Sequence, residues 1–220
     1  MEKNRSSYPM LASVSIHLLV ISIVGLVLYW LTSLREGLAL SSSIPMKIFN
    51  LHPLLMVLGF LIFSGEAMIA YKAIPAQRQT IKLIHLTFHL IALASGIFGI
   101  YAVFKFHDEV KGAHMYTLHS WIGMATIVLF GFQLIFGFIT FLFPGAAPAS
   151  RARFAPWHVF AGVVIFFLAI VTAETGLTEK FLFQKLKHGQ EALLVNFIGL
   201  LILVFGISVI GTALFPIRRK

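Results

Sequence analysis

The segment Arg78–His89, which reads RQTIKLIHLTFH, opens an apolar run long enough to cross a membrane. Steps of four, three and four residues place two cations and two histidines on one helical face: Arg78, Lys82, His85 and His89. Such a face is suited to holding an anion at the membrane surface and a metal further inside. A second segment, Arg151–His158 (RARFAPWH), repeats the spacing of seven residues from arginine to histidine. The rest of the chain is interpreted as the scaffold that brings two more histidines to the opposite side.

The composition indicates one all-α integral membrane domain over residues 1–220. The chain is 59% hydrophobic and 11% charged, whereas a soluble domain carries about 25% charged residues. It has no cysteine, which excludes disulfides and thiolate-bound zinc or iron–sulfur clusters. The net charge of +9 comes from cations in short loops between apolar runs, a distribution that indicates membrane topology rather than nucleic-acid binding.

Six apolar runs satisfy the requirement of about 20 residues for a membrane-spanning helix. The first is too long for the core of a signal peptide and is therefore expected to remain as a span. The loops 72–80 and 144–155 and both termini carry an excess of lysine and arginine, which places this side in the cytoplasm. The predicted spans are about Met10–Leu31, Ile48–Tyr71, Ile81–Phe104, Leu118–Phe143, Pro156–Leu177 and Leu193–Phe215.

Four histidines form two pairs when they are placed by depth. His85 and His158 lie near the starts of spans that begin on the cytoplasmic side, and His52 and His119 lie near the starts of spans that begin on the other side. Spans two to five then form a four-helix bundle from two hairpins. Two imidazoles facing each other at equal depth suit a haem with both axial positions filled, which favours electron transfer over oxygen chemistry. His17 has no such partner, and His89 is expected to line a haem rather than to bind iron.

Glycines and phenylalanines bear on the same hypothesis. A glycine follows each paired histidine on its helical face, where it would let a flat macrocycle approach the backbone; the alternative is ordinary helix packing. These glycines are Gly59, Gly96, Gly123 and Gly162. Five phenylalanines are candidates for the space between the two sites: Phe60, Phe88, Phe98, Phe130 and Phe132.

Two other classes of protein stay open at this point. The same histidines, with Glu66 and Glu174 inside the spans, would suit a metal or proton transporter without haem. That alternative predicts broken helices and one mid-membrane site, whereas the histidines here cluster at two depths. A respiratory membrane anchor is the third possibility. The two glutamates fit either a proton path or buried polar contacts.

Three segments resemble the cytochrome b561 family of transmembrane ascorbate-dependent oxidoreductases. Tyr116–Trp121 (YTLHSW) is similar to the family's SLHSW signature, with Thr117 in place of serine, and Gly176–Lys180 matches its GLTEK-type motif. Ala67–Lys82 resembles its basic, ascorbate-receiving stretch, with Lys72 where arginine is usual and Arg78 where lysine is usual. The resemblance covers about residues 45–215. It implies two haem b groups, an inner one held by His85 and His158 and an outer one held by His52 and His119.

The resemblance also implies a direction of electron flow. Cytoplasmic ascorbate gives one electron to the inner haem, the outer haem receives it, and monodehydroascorbate or a ferric chelate accepts it on the other side. From the residues themselves, cations at the inner mouth suit an anion such as ascorbate, and they also suit a purely topological role. These cations are Lys82, Arg78 and Arg151.

On the outer side, Phe106, His107 and Tyr116 flank the second site. His107 is interpreted as a loop residue that exchanges a proton, or as a solvated loop histidine. Further candidates for contacts with the haems are Lys72, His114, Tyr116 and Glu179. We favour a vacuolar, lysosomal or vesicle membrane over the plasma membrane. A homodimer through lipid-facing spans one and six is compatible with the sequence.

Overall fold

The computed structural model describes residues 8–215, and in that range six helices are long and apolar enough to cross a membrane. Helix α1, Tyr8–Tyr29, continues into a π-helical turn over Trp30–Leu34. The others are α2 (Pro45–Ala73), α3 (Arg78–Val110), α4 (Leu118–Phe141), α5 (Pro148–Phe183) and α6 (Gln190–Leu214). The predicted all-α, six-span architecture is confirmed. The terminal cations that support the predicted orientation lie outside the described residues: Lys3, Arg5, Arg218, Arg219 and Lys220.

Local sequence explains where the helices begin. Thr117 caps α4 through a reciprocal pair of bonds, in which its hydroxyl accepts from the Ser120 N–H and the Ser120 hydroxyl accepts from the Thr117 N–H. Pro45 and Pro148 occupy the first turns of α2 and α5, where a missing N–H costs little. Helix α3 is followed by Lys111, which adopts a left-handed backbone conformation with φ of 54° and terminates the helix.

Two helices extend well beyond their predicted spans. Helix α3 reaches Val110, so the prediction that His107 lies in a loop is wrong, because this residue belongs to the last turn of the helix. Helix α5 begins at Pro148, which places Arg151 within its first turn and Pro156 within its interior. The physical reason is that hydropathy marks only the bilayer core, whereas backbone hydrogen bonding continues into the polar turns beyond it.

Helix α2 contains a π-helical stretch over Leu55–Ile62, directly after His52 and Pro53. Proline has no N–H to donate to the preceding turn, and a π-helical turn bonds to the fifth preceding residue instead of the fourth. The helix therefore gains about one residue relative to an ideal α-helix. Residues that follow in α2 are rotated away from the faces that an ideal periodicity assigns to them.

The helices pack as two hairpins with a third helix pair beside them. Helix α2 packs on α3, and α4 packs on α5, while α6 contacts α1, α2 and α5. Helix α6 is thus not simply lipid-facing, because one of its faces is fully buried through Ile198, Ile202, Phe205 and Val209. At the outer end, Glu191 at the start of α6 accepts a hydrogen bond from Trp30 Nε1 at 2.8 Å and pairs with Arg35. These contacts fasten α1 to α6.

Candidate functional site

The structure brings the four histidines together in the two pairs that their depths predict. The imidazole rings of His52 and His119 have centroids 6.0 Å apart, and those of His85 and His158 are 6.3 Å apart. Two metal–nitrogen bonds of about 2.0–2.1 Å, with about 1.1 Å from each nitrogen to its ring centre, separate two ring centres by about 6.3 Å. Both pairs therefore have the spacing of two histidines that share one metal.

The donor set of each pair suits a haem iron. In the described part of the chain, no three histidine or carboxylate side chains converge on one metal position. Each pair would supply two axial ligands and leave the four equatorial positions to a macrocycle, as in haem proteins with both axial positions filled. The histidine chemistry and the spacing of the rings both fit this group.

Hydrogen bonds orient three of the four imidazoles. The Nδ1 atoms of His52, His85 and His119 lie 3.0, 2.8 and 2.9 Å from the backbone carbonyl oxygens of Gly99, Ala67 and Thr172. An Nδ1–H that donates to a carbonyl leaves the lone pair on Nε2, which is the arrangement of metal-binding histidines. His158 is different, because its Nδ1 lies 3.0 Å from the side-chain Nε2 of Gln133.

These contacts follow one spacing rule within each antiparallel hairpin. Gly99 lies fourteen residues after His85, and Thr172 lies fourteen residues after His158. Ala67 lies fifteen residues after His52, because the π-helical stretch of α2 adds one residue. Each histidine therefore meets the residue about four turns beyond the histidine of its partner helix. Each helix of a hairpin thus carries a histidine near one end and, about four turns later, the residue that contacts the histidine of its neighbour.

The four glycines predicted to face the histidines lie against neighbouring helices, and Gly162 also lines the inner cavity. A Cβ atom at Gly59 would come within 2.2 Å of Ser95, and one at Gly96 within 2.3 Å of Ile127. A Cβ at Gly123 would lie 3.1 Å from Thr172, and at Gly162 it would lie 3.6 Å from Gln133. The close contacts at Gly59 and Gly96 favour helix packing there. The approach of a macrocycle to Gly162, which lines the cavity beside His158, stays a prediction. The π-helical shift in α2 explains the displacement of Gly59.

Two other glycines touch the imidazoles. A Cβ at Gly137 would lie 2.9 Å from Cε1 of His158, and one at Gly176 would lie 2.7 Å from Cε1 of His119. Each lies eighteen residues, or five helical turns, after the histidine of its own helix. The repeated interval in α4 and α5 is the signal that sequence reasoning missed. These positions leave space beside the rings that any larger residue would fill.

At the inner end, the pair His85 and His158 lines a cavity of about 390 Å³. Lys72, Arg78 and Lys82 also line it, whereas Arg151 is not among its lining residues. The Lys82 ammonium donates to the Phe141 carbonyl at 2.9 Å. Lys72 donates to the carbonyls of Thr212, Ala213 and Phe215, so this lysine caps the end of α6.

At the outer end, an aromatic series connects His52 to the surface. The ring of Phe49 lies 6.2 Å from His52 and 5.0 Å from Phe106, measured between centroids, and Phe106 lies 5.6 Å from His107. The neighbouring His114 stacks on Phe104 and contacts Asp108 at 2.9 Å. Tyr116 is exposed between α3 and α4, and Glu179 is half-buried in α5.

The space between the two pairs contains a subset of the predicted aromatic residues. Phe60 and Phe130 are buried with centroids 4.8 Å apart, and Phe130 contacts His89, which in turn lies 4.4 Å from His85. Phe88 packs on Phe63. Phe98 and Phe132 are 63% and 66% exposed, so their predicted placement between the sites is wrong. They lie on the lipid-facing sides of α3 and α4, a distinction that hydropathy does not make.

Several polar groups inside the spans have other partners. His17 contacts Glu66 at 3.3 Å, and Glu174 lies against Gly199 of α6. Sequence reasoning missed Lys180, which is only 7% exposed and places its ammonium 4.3 Å from the centre of the Phe49 ring. Because Phe49 contacts His52, this lysine brings a cation close to the outer histidine pair.

Membrane-spanning helices that hold two facing imidazole pairs, one near each end of the bundle, define a multi-pass membrane protein whose histidines are arranged for haem ligation. Comparison with known proteins specifies the family. The family model described as Eukaryotic cytochrome b561 matches residues 51–184. The chain belongs to this family.

Relatives match along almost the whole chain. The ascorbate-specific transmembrane electron transporter 1 of Zea mays is 46% identical over 209 residues, which cover 93% of this chain and 89% of the relative. The transmembrane ascorbate ferrireductase 2 of Arabidopsis thaliana is 44% identical, with 90% and 88% covered. A transmembrane ascorbate-dependent reductase of Mus musculus is 37% identical, with 88% and 78% covered.

Proposed function

We propose that this protein is an oxidoreductase that carries electrons across a membrane, from ascorbate on the cytoplasmic side to monodehydroascorbate or a ferric chelate on the other. The observation that carries the proposal is the presence of two histidine pairs at opposite ends of one bundle, with ring centroids 6.0 and 6.3 Å apart within each pair. The names of the maize and Arabidopsis relatives, an ascorbate-specific electron transporter and an ascorbate ferrireductase, support the same reaction class.

Two haem b groups are proposed as the cofactors, with His85 and His158 holding the inner one and His52 and His119 the outer one. When bound, haem supplies a carrier for one electron at a time. The protein would contribute the imidazole nitrogens that bind iron, and it contributes Nδ1 hydrogen bonds that orient three of these rings. Gly137 and Gly176 contribute the free space beside His158 and His119.

The mouth of the inner cavity, at Arg78 and Lys82, is the proposed ascorbate site, whereas the part between His85 and His158 would hold the inner haem. Ascorbate is an anion at neutral pH, and Arg78 and Lys82 bring two positive charges to the cavity. Lys72 is engaged with three carbonyls and is assigned a structural role rather than a contact with ascorbate or haem. Arg151 is outside the cavity, so the proposal depends on Lys82 and Arg78.

On the outer side, Phe106 and His107 are proposed to border the site of the acceptor. Reduction of monodehydroascorbate consumes a proton with the electron, and the imidazole of His107 is positioned to hold that proton at the end of the aromatic series. The neighbouring ring of His114, held by Asp108, would orient His107 through their contact at 5.4 Å between centroids.

The absorption spectrum and haem content of the purified protein test the proposal. We expect a low-spin b-type spectrum, two haems for each chain and reduction by ascorbate. His119→Ala should remove about one haem and leave the other reducible by ascorbate, because His119 is assigned to the outer pair. His188→Ala, in the exposed loop before α6, is the matched control and should retain both haems. A protein without haem would refute the function, and a His119→Ala variant that loses only the ascorbate-reducible haem would refute the orientation.

A further inference from the structure

His158 follows the spacing rule of the hairpins but differs from the other three histidines in the group that contacts its Nδ1. The rule assigns to His158 the residue fourteen positions after His119, which is Gln133. The other three histidines use backbone carbonyls at the equivalent positions. At His158, the contact is made by a side-chain amide, with Gln133 Nε2 at 3.0 Å from Nδ1 and at 2.7 Å from the carbonyl oxygen of His158.

The surroundings of Gln133 are built to admit this amide. Gly162 lies opposite it, and a Cβ at that position would come within 3.6 Å of Gln133 Nε2. Gln133 also lines the inner cavity together with His85 and His158. Helix α4 thus carries a histidine of the outer pair, His119, and, four turns later, the side chain that contacts the inner pair.

The amide can serve a metal-binding histidine in only one orientation. With its N–H directed to Nδ1, the neutral imidazole carries its proton on Nε2, and Nε2 then has no lone pair for iron. Rotation by about 180° about the last side-chain bond presents Oε1 to Nδ1 instead, so that Nδ1 donates and Nε2 is free. The same rotation gives up the N–H bond from Gln133 to the His158 carbonyl, which is 2.7 Å from Nε2, and the amide oxygen must move away from that carbonyl because both are acceptors. Unlike a backbone carbonyl in a helix, a side-chain amide is able to make this rotation.

We propose that Gln133 is the positioning residue of the inner site: its amide oxygen accepts the Nδ1–H of His158, which fixes the tautomer and the ring plane of that ligand. The inference rests on the proposed function, because it concerns a haem held by His85 and His158. An acceptor at Nδ1 makes the imidazole a stronger electron donor and favours oxidised iron. Gln133 would therefore lower the reduction potential of the inner haem and leave the outer one unaffected.

Two variants test this role in the full-length, haem-loaded protein. Gln133→Met keeps the length of the side chain and removes the hydrogen bond, whereas Gln133→Asn keeps the amide and withdraws it by one methylene. Both should raise the reduction potential of the inner haem in a spectroelectrochemical titration. Both should also shift the low-temperature electron paramagnetic resonance signal of that haem, because the ring plane of His158 is released. Retention of the inner haem should weaken about 10- to 100-fold.

A matched control and the unmodified protein make the outcomes distinguishable. Thr126→Val alters a buried side chain elsewhere on α4, whose hydroxyl bonds only within its own helix, and should change neither haem. Unmodified protein without haem would refute the proposed function itself. Two results would overturn this inference alone, provided that the unmodified protein binds two haems. The Gln133 variants would leave the reduction potential and the resonance signal of the inner haem unchanged, or they would shift both haems equally. If Gln133→Met does not accumulate, Gln133→Asn decides the question by the same two measurements.

Discussion

Lys180 should raise the reduction potential of the proposed outer haem, and Lys180→Met should lower it. The ammonium lies 4.3 Å from the centre of the Phe49 ring, which lies 6.2 Å from the centre of the His52 ring. A nearby positive charge stabilises reduced iron relative to oxidised iron, because reduction adds an electron. Methionine has a similar length and no charge, so the substitution tests electrostatics rather than packing.

The magnitude of this effect follows from distance. The two contacts place the ammonium at most about 10.5 Å from the centre of the His52 ring, and thus at most about 13.6 Å from an iron bound to that ring. At an effective dielectric constant of about 20, the Coulomb energy at that distance is about 1.2 kcal/mol. For a one-electron couple this corresponds to about 50 mV. A lower dielectric constant in the bilayer, or a shorter distance, would increase the shift, so we expect a decrease of at least this size.

The assay is a spectroelectrochemical titration at neutral pH, with the outer haem identified as the one that His119→Ala removes. Lys187→Met makes the same change of charge in the exposed loop between α5 and α6, where water and salt screen it, and should leave both potentials unchanged. An outer potential that rises or stays within about 10 mV of the unmodified protein would refute the reasoning, given the expected 50 mV. An equal shift of both haems would show a change of structure instead.

Three further predictions concern contacts described above. Gly176→Ala should prevent binding of the outer haem, because its Cβ would lie 2.7 Å from His119. Gly131→Ala is the control, since a Cβ there meets open space, and it should retain both haems in a pyridine haemochrome assay. Lys82→Ala should slow reduction by ascorbate in stopped-flow absorbance without a change in haem content, because it removes a cation from the inner cavity; equal rates would contradict the assigned site. Glu191→Ala should destabilise the fold by about 2 kcal/mol and lower its Tm, because Trp30 and Arg35 lose their shared acceptor. Glu109→Ala, at an exposed carboxylate, is the control, and an equal Tm for both variants would argue against this bond network.

Much of the architecture could be predicted from the position and polarity of residues along the chain. A bilayer permits only helices of sufficient apolar length, so hydropathy alone predicted six spans, and the structure has six. The depth of a histidine is likewise a property of its position along a span. His85 with His158, and His52 with His119, could therefore be paired before any contact was known.

The predictions from sequence were wrong where they depended on the direction in which a side chain points around the helix axis. Phe98 and Phe132 are as apolar as Phe60 and Phe130, yet they face outward, because lipid and protein interior are equally suited to a phenylalanine. The π-helical stretch after Pro53 rotated Gly59 away from His52, and an ideal periodicity cannot anticipate that rotation.

The amino-acid sequence was thus sufficient for the fold class, the number of spans and the pairing of the histidines, since each depends on length, polarity and depth. The helix packing alone determined which groups touch the imidazoles: Gly137 and Gly176 beside the rings, Gln133 at Nδ1 of His158, and Lys180 over Phe49. These contacts join helices that are distant in sequence or antiparallel. Their identity depends on the rotation and register of one helix against another, which no property of a single helix specifies.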